Sequence, residues 1–240
     1  MLSFSLLDAQ ALSPGLSEAA SWHQWAESGV WPGAAPLPAT PLLPMMMARR
    51  LSAGSRLAVQ LGLTMLARHS VDSAVFVSRH GELARSMSLL QGLAAGKALS
   101  PTDFSMSVHN TAAGICSIQG KATLAMSSLA AGEASLMAGL TEAVANLGAG
   151  QRRVLLVAFE GEIPAFHHPW LAQTPPHAVA LVLGGQGDPD AAAHWRCEGA
   201  RVASQPPALS QPLAFWRAHL LSQEACLLGD GRQEWSWRRD

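Results

Sequence analysis

The chain has 240 residues, 16 basic and 17 acidic, and a formal net charge of -1 at pH 7. That balance leaves no basic stripe for nucleic acid and no acidic tail for a cationic partner. Hydrophobic residues make up 49% and charged residues 14%, which excludes a disordered chain and leaves little charge to cover a monomer's surface, so a large buried subunit interface is expected.

The three cysteines, Cys116, Cys197 and Cys226, show no CxxC spacing. Neither a zinc site nor a redox motif is indicated, no other metal or cofactor is implied, and so sparse and odd a count fits a reducing cytoplasm. The opening MLSFSLLDAQ has no basic n-region and meets Asp8 early, so it does not read as a signal peptide. No uncharged apolar run reaches membrane length. Residues 122–132 are apolar but short and rich in Ala, Gly and Ser, and read as buried.

Taken along the chain, residues 2–7 (LSFSLL) alternate and predict a strand. Ser17 to Glu27 predicts a helix capped by Ser17, with Trp22, Trp25 and Ala26 on one face. Val30 to Pro44 carries five prolines and predicts an extended connector. Leu51, Leu57, Ala58, Leu61 and Leu66 recur at helical spacing within 48–67, with Arg49, Arg50 and Arg56 among them. AVFVS at 74–78 predicts a strand, and 82–93 a helix. Ser100-Pro101-Thr102-Asp103 marks a turn and helix start, after which Phe104 to Val108 alternates as a strand would and His109-Asn110 follows. A long helix is expected from Ser128 to Asn146, ended by Gly148 and Gly150. The continuous apolar runs at 154–159 and 177–183 predict strands covered on both faces. Beyond about residue 190 the pattern weakens, leaving a possible helix at 213–221 and an edge strand at 234–238. Strands alternating with helices predict an α/β layered fold with a mixed sheet.

Among motifs, GxxxxGK[ST], HExxH and GxSxG are absent, and the glycine pairs at 148/150 and 185/187 read as turns. Arg79, His80 and Glu82 form a charged cluster after a buried strand and read as a satisfied internal network. The informative region runs from Ser73 to Gly120. Its segments SRHGE, LSPTDFSMSVHN and AAGICSI, in that order, resemble the β-ketoacyl synthase-like family, in the N-terminal domain of the thiolase fold. Within it they are similar to the chain-length-factor partners of type II synthases of aryl polyene and related lipid pathways. The resemblance spans roughly Leu51 to Leu183.

The resemblance implies a thiolase-like half-fold over 1–190, with an irregular extension at 191–240 packed on the same domain. It also implies where a nucleophile should stand: an active synthase keeps a cysteine at the N-terminus of a buried helix, where the helix dipole and free N–H groups lower its pKa. Counting forward from Gly120 puts that position near Leu129, and counting back from Val154 puts it at Gly132 or Glu133; Leu129, Ala130, Ala131, Gly132 and Glu133 include no cysteine. No HGT-like histidine motif follows Leu183 either. The expected function is therefore a non-catalytic subunit that pairs with an active ketosynthase and meets an acyl carrier protein through the complex. Candidate acyl-tunnel or interface residues are Phe104, Met106, His109, Asn110, Gly114, Met126 and Leu129, with Gly114 placed to allow close backbone approach. Arg49, Arg50 and Arg56 are candidates for meeting an acidic carrier. The competing expectation is a small acyltransferase or hydrolase using Ser128 or Cys116 with His109; Cys116 itself reads as a core thiol.

Overall fold

A computed structural model describes residues 2–240. Eight strands form one mixed sheet: β1 (Ser3–Leu12), β2 (Ser73–Val77), β3 (Ala125–Leu129), β4 (Arg153–Glu160), β5 (His177–Gly184), β6 (Ala193–Val202), β7 (Ala225–Gly229) and β8 (Gln233–Arg239). Their order is β3-β2-β4-β5-β1-β6-β8-β7. β2 runs parallel to both β3 and β4, and β5 is antiparallel to β4 and β1.

The apolar run of β4 shows why the sheet is covered on both sides. Val154, Leu156 and Ala158 join one core cluster, and Leu155, Val157 and Phe159 join the other, as the two-residue period of a strand requires. The first cluster is closed by α1 (Ala19–Ser28), α7 (Ser135–Gly148) and α8 (Gln211–Leu220), the second chiefly by α3 (Ala53–Arg68) and α6 (Thr111–Gly120). Leu155 and Leu156 are fully buried, each contributing about 2–3 kcal/mol of transfer free energy. Three further helices are short or peripheral: α2 (Met45–Ala48), α4 (Leu83–Ala94) and α5 (Pro101–Ser105).

One close approach positions the site. A Cβ on Gly139 of α7 would lie 2.5 Å from Val77 Cγ1 and 2.8 Å from Leu156 Cδ1. Glycine lets α7 lie directly against β2 and β4, which fixes where its N-terminus emerges.

Trp22 and Trp25 face the core as their spacing predicts, although α1 is capped at Glu18 and not at Ser17. Five expectations are corrected. Residues 104–108 form no strand: Ser100 accepts from Asp103 N and starts α5, and Pro at its first turn suits a helix. The helix expected from Ser128 begins at Ser135, because Ala125–Leu129 pairs with β2 as a strand. The segment 122–132 is half-buried to exposed, since β3 is the outermost strand. The stretch beyond 190 is not irregular: β6 pairs with β1 and carries β8 and β7. Finally, β8 lies between β6 and β7, so the edge strand at this end of the sheet is β7.

Candidate functional site

The parallel strands β3, β2 and β4 end on the same side of the sheet, and antiparallel β5 begins there. The crevice outside the carboxyl ends of such strands is where α/β sheets gather polar groups and free helix N-termini. Here a cavity of ≈ 300 Å³ opens, lined by Arg79 and His80 after β2, Gly132 and Glu133 before α7, Glu160 at the end of β4, and His177 at the start of β5.

The three charged residues of SRHGE go separate ways. Arg79 Nη1 donates to Glu133 Oε1. His80 Nδ1 donates to Glu160 Oε2 at 3.1 Å. Glu160 also accepts from the backbone N–H of Arg79, and from Ser78 Oγ at 3.3 Å, so one carboxylate fastens the loop after β2 to the end of β4. Glu82 turns away from the cavity and accepts from Ser52 and Ser55 at the start of α3. Its second oxygen lies 3.6 Å from Arg85 Nε.

His109 Nε2 donates to the carbonyl oxygen of Ser78 at 2.9 Å. Gly81 has φ +52, and a Cβ there would meet His109 Cδ2 at 2.8 Å, so both conformation and space call for glycine.

Glu160 and His177 are paired neighbours across β4 and β5. His177 is fully buried. Its Nδ1 donates to Pro175 O at 2.9 Å, which leaves Nε2 as a buried acceptor with no hydrogen-bond partner. Burial pushes its pKa down, against the opposing pull of the Pro175 carbonyl and Glu160. The sequence reading named neither residue for the site; the available signal was an acid followed by glycine at the end of a continuous apolar strand.

The remaining candidates scatter. Phe104 is 65% exposed on α5, while Met106 is buried in the core beneath α3 and α6. Met126 packs toward that same core and Leu129 toward the opposite one, as residues three apart on a strand must. Asn110 and Gly114 are exposed, and a Cβ on Gly114 would meet nothing within 4 Å. His109 and Asn110 precede α6 and do not follow a strand. Arg49 and Arg50 are exposed, but Arg56 is half-buried, with Nε donating to Thr40 Oγ1 at 3.0 Å.

No thiol faces the cavity. Cys116 is buried beneath Gly62, and burial pushes its pKa up to about 12. Ser128 lies in β3 with its hydroxyl buried and unpaired. His109 Nε2 is engaged by the Ser78 carbonyl, and among the described residues no hydrogen bond joins His109 to Ser128 or Cys116, so the competing acyltransferase or hydrolase constellation is not assembled. Among the described residues no group of three or more His, Cys, Asp or Glu is placed to hold a metal, and no helix is long and apolar enough to cross a membrane.

The model of the "Beta-ketoacyl synthase, N-terminal domain" family matches residues 22–238. The chain belongs to this family. The family chain is also similar to solved structures. It aligns at 41% identity and a TM-score of 0.91, covering 100% of both chains, with a chain from the complex of the ketosynthase ApeO with its chain length factor ApeC from Xenorhabdus doucetiae. With the ishigamide ketosynthase/chain length factor it shares 18% identity at a TM-score of 0.67, covering 83% of this chain and 67% of that one. With a β-ketoacyl synthase from Burkholderia phymatum STM815 the figures are 15% and 0.62, over 93% and 71%. The last two likenesses concern the fold alone. No curated protein matches. The family chain is thus a mixed sheet layered with helices, the thiolase-like half that its segments imply.

Proposed function

We propose that this chain is the non-catalytic, chain-length-factor-type subunit of a heterodimeric ketosynthase, working in the cytoplasm on acyl chains held by an acyl carrier protein, in a type II fatty acid or polyketide pathway of the aryl polyene kind. The observation that carries this reading is the ion pair at the entrance to α7. A condensing enzyme needs a thiolate at that helix N-terminus, with free donors around it for the developing oxyanion. In this chain the entrance holds Gly132 and Glu133, and the carboxylate of Glu133 is bound by Arg79. An acid in that place is no nucleophile for acyl transfer from a thioester, and its negative charge opposes a second anion beside it.

The surface supports a partner. α4 and α5 bury no residue at all. Leu90 and Leu93 are 59% exposed, Phe104 65% and Ile118 67%, and the adjoining sheet ends in the unpaired edge of β3. Exposed apolar groups of this number on a chain with few charges are the mark of an interface. The 41% identity to a chain of a ketosynthase–chain length factor complex points the same way.

Co-expression with a ketosynthase encoded beside it, one subunit affinity-tagged, tests the reading. An equimolar complex is expected to co-purify, with condensing activity that the ketosynthase lacks alone. Full activity of the solitary ketosynthase and no co-purification would overturn it.

A further inference from the structure

The cavity of ≈ 300 Å³ is lined by two residues that each bury a polar atom without a hydrogen-bond partner among the described residues. One atom is His177 Nε2, on a fully buried ring held by its Nδ1–H on Pro175 O. The other is the hydroxyl of Ser210. Ser210 is the N-cap of α8, yet its side chain makes no capping bond, so the first N–H groups of that helix are left open as well. Buried polar groups are seldom left so, and two in one cavity mark a place for the polar head of a ligand. Neither residue belongs to the entrance of α7, where the nucleophile of a synthase would stand.

The charges of the cavity are already matched. Arg79 binds Glu133, and His80 binds Glu160. A further anion would meet two carboxylates, and a further cation would find both engaged. Burial lowers the pKa of His177 and keeps its ring neutral, so the free nitrogen accepts and does not donate. Val77, Leu136, Phe159, Ile163 and Leu209 supply apolar walls. One wall is a loop, residues 206–209, which also lines a second cavity of ≈ 700 Å³. Across residues 204–209 no backbone group is hydrogen-bonded to another, so this is the wall that yields to admit a ligand.

We propose that this cavity binds a small uncharged molecule with an apolar body and one polar head, a hydroxyl or a carboxamide, that donates and accepts at once. The head donates to His177 Nε2 and accepts from the Ser210 hydroxyl or the open N-terminus of α8. The volume of ≈ 300 Å³ is that of about ten waters and suits a molecule of roughly ten heavy atoms. The assignment does not rest on the function proposed above, since it needs neither a partner subunit nor a carrier.

The test titrates the full chain, its histidines labelled with nitrogen-15, with four matched probes: 2-phenylethanol, 2-phenylacetamide, ethylbenzene and phenylacetate. The alcohol or the amide is expected to bind with a Kd of about 1 mM or below, and the hydrocarbon and the carboxylate at least about tenfold more weakly. The tighter of the first two identifies the head group. Binding is expected to shift one histidine ring-nitrogen resonance, the one missing from the spectrum of His177→Phe. His177→Phe is expected to weaken alcohol and amide by about tenfold. Ser210→Ala removes no capping bond, so it is expected to keep the fold and weaken binding severalfold. Should His177→Phe fail to fold, Ser210→Ala and the histidine shift decide. The assignment is overturned by equal affinity for the hydrocarbon, by tightest binding of the carboxylate, or by a shift at no histidine. No binding of alcohol or amide up to about 10 mM would also overturn it.

Discussion

Arg79 Nη1 donates to Glu133 Oε1 across the mouth of the cavity, so the loop after β2 and the loop before α7 are joined by one ion pair. Both side chains are about one-third exposed, 31% and 38%, and the pair's contribution to stability is within about 1 kcal/mol. Its importance lies in charge: it fills the helix N-terminus with an acid and its counter-ion. Glu133→Cys should therefore create a reactive thiol. Arg79 and the α7 dipole both favour a thiolate there, whereas burial pushes Cys116 and Cys226 up to about 12 and raises Cys197. With iodoacetamide at pH 7.5, intact mass is expected to show no label on the parent chain and a single adduct on the variant. Adding Arg79→Ala should slow that labelling by about tenfold. Equal rates with and without Arg79 would show that the guanidinium does not act on this position.

Gly81 and His109 interlock. The αL conformation of Gly81 and the 2.8 Å approach of its missing Cβ to His109 Cδ2 make Gly81→Ala costly by about 1–3 kcal/mol. Part of that cost is steric. In a His109→Ala background the same substitution should cost less, by at least about 0.5 kcal/mol, as measured by urea unfolding of all four proteins in a double-mutant cycle. Strict additivity would mean that backbone strain alone sets the penalty.

The layered fold was legible because its central strands advertise themselves. VLLVAF is wholly apolar and HAVALVL is so after its first residue, His177, and such runs suit only a strand covered on both sides. The edges were not legible, for the same reason inverted. β3 reads AMSSL, five small or flexible residues that suit a helix N-terminus as well as a strand, and only its parallel pairing with β2 decides the matter. FSMSV alternates like a strand, yet the cap by Ser100 and the proline at the first turn outweigh it locally. Of the cavity, Gly132 and Glu133 could be counted to. Glu160 and His177 could not, because they meet through the register of β4 with β5, which no local pattern encodes.

Arg85 is the pin of a helix pair that has little else to hold it. α4 and α5 bury no residue, and Arg85 reaches Asp103 on α5 at 2.6 Å, Glu82 at 3.6 Å and the Arg50 carbonyl. Glu82 is only 1% exposed at its side chain. Arg85→Ala should thus cost about 2–3 kcal/mol, chiefly by leaving a buried carboxylate without a counter-charge. Glu82→Gln in the same chain should recover about half of it. Hydrogen exchange is expected to rise across residues 83–105 in Arg85→Ala while β4 and β5 stay protected. Uniform loss of protection would mean that Arg85 stabilises the whole fold and not this face.

Two histidines make the fold acid-sensitive before its carboxylates titrate. Burial, with Arg239 and His23 adding like charge, lowers His219 from the ordinary 6.5 to about 4, and burial likewise lowers His177. In each case the folded chain holds the neutral ring and the unfolded chain takes up a proton near 6.5. Stability from these groups is therefore complete above that pH and is lost as pH falls, for His219 down to about 4. Between pH 7 and 5 the loss from His219 alone amounts to about 1–2 kcal/mol. His219 stacks on Trp216, ring centroids 5.7 Å apart, and Trp216 meets Trp22 edge to face. Tryptophan fluorescence thus follows both the local site and global unfolding. The urea midpoint is expected to fall steadily from pH 7 to pH 5 in the parent chain and to fall by roughly half as much in His219→Gln. A midpoint that declines equally in both would exclude His219 as a source of the acid sensitivity and leave it to His177, whose buried Nε2 has no partner in the neutral state and no solvent to meet once charged.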